Sequence, residues 1–280
     1  MTTPAQPEGF PLPPGVVFLT SHGHVQLDTV RSWTDLRAAC VERGFRNIGF
    51  EYMPGSLVDK ARNESASALL ASPGQWLFFI DADMTFAPDT FFVVLQTAFK
   101  DCPWADIVGA WCPLRGEPYL PTIDTGTGTW EPHEPGQGPL KVIRTGAAFI
   151  LVKRHVYERM EAPWYGVRPA MRPLDIMAEL DGYARQKFDG RNPFAGTQPW
   201  EALLRCASQD AQSAPRPGTG CVGEDSGFCD RAKALGFQIV VQTNAFCGHV
   251  DKRIITPEDH RQAIRKLQNN QRLALGVGGP

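Results

Sequence analysis

The stretch "WLFFIDADMTFAPDT", residues 76–90, decides how the chain folds. Trp76 to Ile80 is an unbroken apolar run of strand length, the pattern of a strand covered on both faces inside a parallel sheet. Two carboxylates, Asp81 and Asp83, follow at once, and ionised carboxylates beside a core need partners. Open α/β sheets bind ligands beyond the carboxyl ends of their strands, which is where this pair falls. A spacing of two in extended chain points both side chains to one side. Two hard oxygen donors there suit Mg2+ or Mn2+ shared with a substrate phosphate. Helix capping or an Asx-turn is the structural alternative. It accounts for Asp89, beside a proline at the start of a helix, better than for a pair at the end of a buried strand.

Outward from this strand, "VVFLT" (16–20) reads as a first strand and "RNIGFEYM" (46–53) as a second, with a helix at 25–43 between them. A further helix spans 54–72 with Ser56 as N-cap, another lies near 87–100, and "DIVGAW" (106–111) is a fourth strand. This alternation predicts a Rossmann-like, mostly parallel central sheet flanked by helices over the first ~110 residues, an α/β fold. Residues 112–140 are rich in Gly, Pro and Thr and read as loop; 141–153 reads as one long strand, followed by a helix ending near Met160. Region 162–220 is irregular, and long segments of that kind serve more often as lids than as connectors. A helix at 224–237, a strand at 238–243 and a closing helix at 256–274 complete the chain.

Composition narrows the function. The 280 residues carry a net charge of −2, with 42% hydrophobic and 21% charged residues, so no global positive field recruits nucleic acid or membrane. No apolar run approaches the ~20 residues of a membrane span. "MTTPAQPEGFPLPPG" (1–15) lacks the basic and apolar regions of a signal peptide and reads as a flexible leader. The seven cysteines are scattered without a CxxC pair, which points to reduced thiols and a cytoplasmic protein.

Three further features carry chemistry. In "GEDSGFCDRAKALG" (223–236), Phe228, Ala232 and Leu235 form a helical stripe, leaving Glu224 and Asp225 in the first turn. There they serve as helix-dipole caps or as a general base. His249, in "FCGHV", follows a strand; it is either a structural histidine or a third ligand beside the carboxylates. Arg62 shares the stripe Val58, Arg62, Ser65, Leu69 with apolar residues, so it points inward and needs an anion, either a nucleotide phosphate or Asp81.

Taken in order, "VVFLT", "ARN" (61–63), "FFIDADM", "TGAAFILVKRHVYERMEAPWY" (145–165), "GEDSGFCDRAKALGF" and "GHV" resemble a GT-A-fold glycosyltransferase, close to family 2 in style, with "DAD" as its DxD motif. The resemblance runs from about residue 16 to 251. It implies a single catalytic domain over 16–255, with a nucleotide-binding half (16–111), an acceptor half (112–255) carrying the 162–220 lid, and a C-terminal helix and tail at 256–280. It further implies a divalent metal, Mn2+ or Mg2+, ligated by Asp83 and His249, with Asp81 on the ribose or reaching the metal through water. Asp225 would be the base of an inverting transfer, with Glu224 second. Thr20, Ser21, Arg62 and Asn63 would line the nucleotide of the donor, a UDP-sugar by preference. Trp111, Arg115, Trp164 and Tyr165 would border sugar and acceptor.

Two rival readings stand beside it. "FFIDADMTF" and "VGEDSGFCDRAKALG" also resemble motifs of haloacid-dehalogenase-type phosphatases, in which Asp81 would be the nucleophile and Asp83 the acid/base. That family's DxD follows the first strand, whereas two strand–helix units precede it here. A non-enzymatic binding module is the third class, although Asp83, Asp225 and His249 are all present. The acceptor is open: a saccharide or, because Lys252, Arg253, Arg261, Arg265, Lys266 and Arg272 cluster near the C-terminus, hydroxymethylated DNA.

Overall fold

The computed structural model describes residues 12–21, 24–53, 57–166, 168–169, 221–250 and 254–274. The chain divides into two units: Met1–Tyr165 with Phe228–Pro280, and Gly166–Gly227.

The first unit runs β1 (Gly15–Thr20), α1 (Leu27–Glu42), β2 (Ile48–Met53), α2 (Val58–Leu70), β3 (Trp76–Asp81), β4 (Met84–Thr85) and α3 (Pro88–Gln96), the last extended by a π-helical turn, Thr97–Asp101. Then come β5 (Ile107–Trp111), β6 (Ile123–Asp124), β7 (Pro139–Val142), β8 (Arg144–Thr145), β9 (Phe149–Lys153) and α4 (Arg154–Arg159). In the second unit β10 (Arg168–Pro169) pairs antiparallel with β11 (Cys221–Val222), and the first residues of α5 (Glu224–Ala234) belong to it. The first unit ends with β12 (Ile239–Phe246), β13 (Gly248–Val250), β14 (Ile254–Ile255) and α6 (Pro257–Ala274). The stretch 170–220, most of the expected lid, lies outside the described residues, as do Ser56, Lys252 and Arg253.

The central sheet has seven strands in the order β2-β1-β3-β9-β5-β12-β7. The pairs β1–β2, β1–β3 and β5–β12 are parallel, and β9 and β7 run against their neighbours. The class is therefore α/β with a mostly parallel sheet, as expected. Strand β3 shows why its sequence is apolar throughout: successive side chains alternate between faces, and both faces are covered. Trp76, Phe78 and Ile80 pack with Leu36 and Cys40 of α1 and with Phe91, Val94 and Leu95 of α3. Leu77 and Phe79 pack on the other face with Ala66 and Leu69 of α2. Asp81 continues the second series, which aims it toward α2.

Two expectations need correction. Residues 141–153 are not one strand. The run breaks at Ile143, whose N–H bonds the Asp124 carbonyl at 2.7 Å, and again at Gly146, which lies so close to Thr122 that a Cβ would sit 2.9 Å from its hydroxyl. After this break the chain returns as β9, antiparallel between β3 and β5. Helix α5 also ends earlier than its apolar pattern implied. Gly236, at φ +86, closes it with Gly236 N–H to Lys233 C=O (2.9 Å) and Phe237 N–H to Ala232 C=O (3.0 Å), a Schellman motif. Leu235 thus becomes the C-cap and turns outward, 41% exposed, while Phe237 is buried.

The expected loop at 112–140 holds its own polar scaffold. Asp124 Oδ1 accepts the Gly126 and Gly128 N–H groups at 2.8 and 3.1 Å. Glu131 accepts the Thr125 hydroxyl (2.7 Å) and N–H (2.9 Å), and these bonds hold its carboxyl down to about 2.

The carbonyls at the end of α2 are satisfied from a distance. Arg154, at the start of α4, donates to the carbonyls of Leu69, Leu70, Ser72 and Gly74 at 2.8–3.1 Å. A cation at a helix C-terminus also meets the negative end of the helix dipole. Replacing Arg154 by Ala should lower stability by about 2 kcal/mol, read as a shift in urea midpoint at constant slope. An unchanged midpoint would show that solvent replaces the guanidinium at no cost.

Candidate functional site

Residues brought to the C-terminal ends of β1 and β3 form the first half of the site. Thr20 and Asp81 are register partners in the parallel β1–β3 ladder. Adjacency in that ladder lets the Thr20 hydroxyl donate to Asp81 Oδ1 at 2.7 Å. Arg62 Nη2 lies 3.0 Å from both oxygens of the same carboxylate. The guanidinium comes from the buried face of α2 with only 3% of its side chain exposed, and rests over Phe79 and Tyr165, 5.8 and 5.9 Å from the ring centres. Of the two anions open to Arg62, the structure supplies Asp81. Ser21, also buried, donates to the His24 carbonyl at 2.7 Å.

Asp83 belongs to a different set. Strand β3 ends at Asp81, and Ala82 and Asp83 form a turn into β4. The extended geometry that would align the two carboxylates is therefore lost at the second one. Strand β4 pairs with β13, His249 opposite Met84 and Gly248 opposite Thr85, and Val250 N–H bonds the Asp83 carbonyl at 2.8 Å. A Cβ on Gly248 would fall 2.6 Å from Thr85 Oγ1, so a side chain there would require its neighbours to shift. This three-stranded sheet carries His249 to Asp83, with Nε2 3.3 Å from Oδ2.

The imidazole is oriented by its other nitrogen. His249 Nδ1 lies 3.0 Å from the Pro113 carbonyl, an acceptor only, so Nδ1 carries the proton and Nε2 presents a lone pair. Arg115 Nε donates to that Nε2 at 2.9 Å, and its Nη2 is bonded to Asp83 Oδ2. Asp83 and His249 are mostly buried, 19% and 15% exposed by side chain, whereas Arg115 is 58% exposed. A carboxylate oxygen and an imidazole lone pair thus converge on one position, filled by a guanidinium. Such a donor pair suits a divalent first-row ion, and the carbonyl behind the imidazole is the kind of partner that orients a ligating histidine. Among the described residues no cluster of three or more His, Cys, Asp or Glu forms a complete cage. Asp81, expected as a third ligand, is held by Arg62 and Thr20.

Packing engages several of the residues expected at the site. Trp111 is fully buried, donates its indole N–H to the His133 carbonyl at 2.8 Å and meets the His260 ring edge-on. Trp164 is 8% exposed and donates its indole N–H to the Tyr157 and Met160 carbonyls. Tyr165 is 1% exposed, stacks on Phe228 at 4.4 Å and shares a hydroxyl bond with Tyr157. Burial pushes the Tyr157 phenol well above its ordinary range. These three aromatics are core, and none offers a ring face to a sugar. Asn63, expected to line a nucleotide, clamps the 164–165 backbone. Its Oδ1 accepts the Trp164 and Tyr165 N–H groups, and its Nδ2 donates to the Asp59 and Tyr165 carbonyls, all at 2.7–3.0 Å. Arg115, expected beside the sugar, sits on Asp83 and His249.

Glu224 and Asp225 open α5 within the second unit, where Asp225 Oδ1 accepts the Ser226 N–H at 2.6 Å. On α6, Arg261 pairs with Glu134 and Glu258, and Lys266 lies 3.8 Å from Glu117, so two of the basic residues considered for a polyanion already have acidic partners. Sequence reasoning missed Pro113, whose carbonyl sets the histidine tautomer, and Arg231, which donates to the carbonyls of Glu161, Pro163 and Trp164. Neither carries a local signal, because each acts on a segment distant in the chain.

No family model matches this chain, and no curated protein matches it. Among solved structures, A197 from STIV is similar at 16% identity over 88% of this chain and 91% of its own, with a TM-score of 0.52. At that identity the likeness is one of fold. GalNAc-T7, solved with UDP, GalNAc and Mn2+, aligns at 10% identity over 92% of this chain and 48% of its own, with a TM-score of 0.46. A glycosyltransferase involved in glycosylation of the major capsid of PBCV-1 aligns at 15% identity over 54% of this chain and 69% of its own, with a TM-score of 0.27. Among the described residues no helix is long and apolar enough to cross a membrane.

Removing the arginine that neutralises Asp81 should be costly. Arg62→Ala is expected to lower stability by about 3 kcal/mol, because it strands a partly buried carboxylate. The double variant Arg62→Ala/Asp81→Asn should recover part of the loss in urea unfolding. A double variant no more stable than the single one would mean that Arg62 acts through packing and not through charge.

Proposed function

We propose that this chain is a metal-dependent glycosyltransferase that moves a sugar from a nucleotide-sugar, UDP-sugar by preference, to an acceptor hydroxyl. The observation that carries this reading is the convergence of Asp83 Oδ2 and His249 Nε2, 3.3 Å apart, just beyond the carboxyl end of β3. The ordered motifs that resemble GT-A enzymes name these two residues as the cation ligands. A divalent ion, Mn2+ or Mg2+, would supply charge neutralisation to a diphosphate leaving group.

The chain's own residues account for the rest. Arg62 fixes Asp81 against β1, so that carboxylate is a positioned acceptor suited to the donor's ribose hydroxyls or to a metal-bound water. Thr20 and Ser21 border the same strand ends. Asp225 takes the proton of the acceptor hydroxyl as its oxygen attacks the anomeric carbon and the bond to the diphosphate breaks, which inverts that carbon. Glu224 is the second choice for that base. The acceptor is a saccharide or a hydroxymethylated DNA base. A cytoplasmic site of action, where thiols stay reduced, is part of this proposal.

The phosphatase reading fares worse on geometry. Both oxygens of Asp81 accept bonds from Arg62, and one from Thr20 as well, which leaves a poor nucleophile.

Titrating UDP into the protein with and without Mn2+ tests the proposal. At ~1,000-fold excess over the dissociation constant, the nucleotide with metal should add about 4 kcal/mol of stability, a clear rise in thermal midpoint. Chelation, Asp83→Asn or His249→Ala should each abolish that rise. Binding of UDP that ignores the metal, or phosphate release from a phosphomonoester without nucleotide-sugar binding, would contradict it.

A further inference from the structure

We infer that Arg115 is a built-in counter-cation that occupies the proposed metal position and that the ion must displace in order to bind. This rests on the metal reading above and goes beyond it, by naming a residue of this chain that sets the affinity and order of metal and donor binding.

The imidazole of His249 has one acceptor nitrogen, Nε2, because Nδ1 is committed to the Pro113 carbonyl. That single lone pair accepts the Arg115 Nε–H at 2.9 Å. A metal ion bound by His249 would need the same lone pair, so guanidinium and metal exclude each other at this nitrogen. At Asp83, the oxygen bonded to Arg115 Nη2 is Oδ2, the one that faces the histidine. A guanidinium does not lose its proton in a protein, so the exchange proceeds by movement of the side chain and not by titration.

Exposure shows which partner moves. Asp83 and His249 are held in place, the first by its backbone bond to Val250 and the second by Pro113. Arg115 is 58% exposed by side chain and lies in the loop between the bridged Pro113 and Pro121. The stem of that loop is fixed by Leu114 N–H to Leu120 C=O at 2.9 Å, and Pro118 is tethered through its carbonyl to His260. The backbone stays and the long side chain swings. An ion pair whose cation is solvent-exposed is worth less than a buried one, so displacing Arg115 costs less than displacing Arg62 would.

Displacement also leaves a cation at the rim of the site without its carboxylate. A diphosphate held at that position is the anion such a fork-shaped group would pair with. Metal and nucleotide should then bind with positive coupling that depends on Arg115, and by linkage each should tighten the other equally.

The test is Mn2+ binding followed by electron paramagnetic resonance of the free ion, a readout independent of turnover. The full chain is compared with R115Q, R115K and D83N, each with and without UDP, after circular dichroism has established that each variant is folded. Without nucleotide, R115Q should bind Mn2+ roughly fivefold more tightly than the parent, the scale of one released surface ion pair. R115K, which keeps charge but loses the fork, should fall between them, and D83N should abolish binding. With UDP, the parent should gain more Mn2+ affinity than R115Q does. Unchanged or weaker Mn2+ binding by R115Q, with D83N still abolishing it, would overturn the counter-cation role and leave the metal site standing. Absence of Mn2+ binding in both parent and R115Q would overturn the metal reading and this inference with it.

Discussion

A carboxylate that leaves a strand covered on both faces has to be neutralised, and much of this molecule is arranged around that requirement. Strand β3 alternates its side chains between two apolar layers, and the next residue in one series is Asp81. The same layer carries Arg62 on α2, so the cation arrives by the packing that buries Leu69, Ala66 and Phe79. The pair fixes α2 against the sheet and anchors the strand end. With Asp81 settled, the turn at Ala82–Asp83 delivers the second carboxylate to a separate strand system, β4–β13–β14, in which His249 waits. Two acids that look like one motif therefore do two jobs.

Each half has its own electrostatic logic. Arg62 is buried, so its ion pair is part of the fold and resists exchange. Arg115 is exposed, so its ion pair with Asp83 faces solvent on the cationic side. The two aspartates thus differ in the cation beside them, a buried guanidinium at Asp81 and a solvent-facing one at Asp83. At Gly248 the strand that carries His249 packs tightly on its neighbours, since a Cβ there would fall 2.6 Å from Thr85 Oγ1 and 2.9 Å from Ile254 Cγ2.

The sequence made part of this legible. The run at 76–80 could be read as doubly covered because nothing polar interrupts it, and the stripe Val58, Arg62, Ser65, Leu69 placed Arg62 inward by helical period alone. The order of motifs put Asp83 and His249 in one site, a statement that no local pattern makes. What stayed hidden depends on distant partners. That β9 slots antiparallel between β3 and β5 is decided by the break at Ile143 and Gly146 against Thr122, which an apolar count does not see. The "PWY" aromatics look like a sugar platform, yet Asn63 and Arg231 hold their backbone down and Tyr165 stacks on Phe228. Leu235 fits a helical stripe, but the glycine after it ends the helix and gives the buried place to Phe237. Arg115 was expected beside the sugar, but its contacts with Asp83 and His249 were hidden, because these partners come from the turn after β3 and from β13.

Asp83 and His249 are proposed to hold a divalent cation together at the end of β3. Anomalous diffraction at the manganese edge from crystals grown with Mn2+ and UDP tests it most directly. One strong peak is expected about 2.2 Å from both an Asp83 carboxylate oxygen and His249 Nε2, with the Arg115 guanidinium displaced. A manganese peak bound elsewhere, or Arg115 still bridging the two residues with nucleotide in place and no peak beside them, would contradict it.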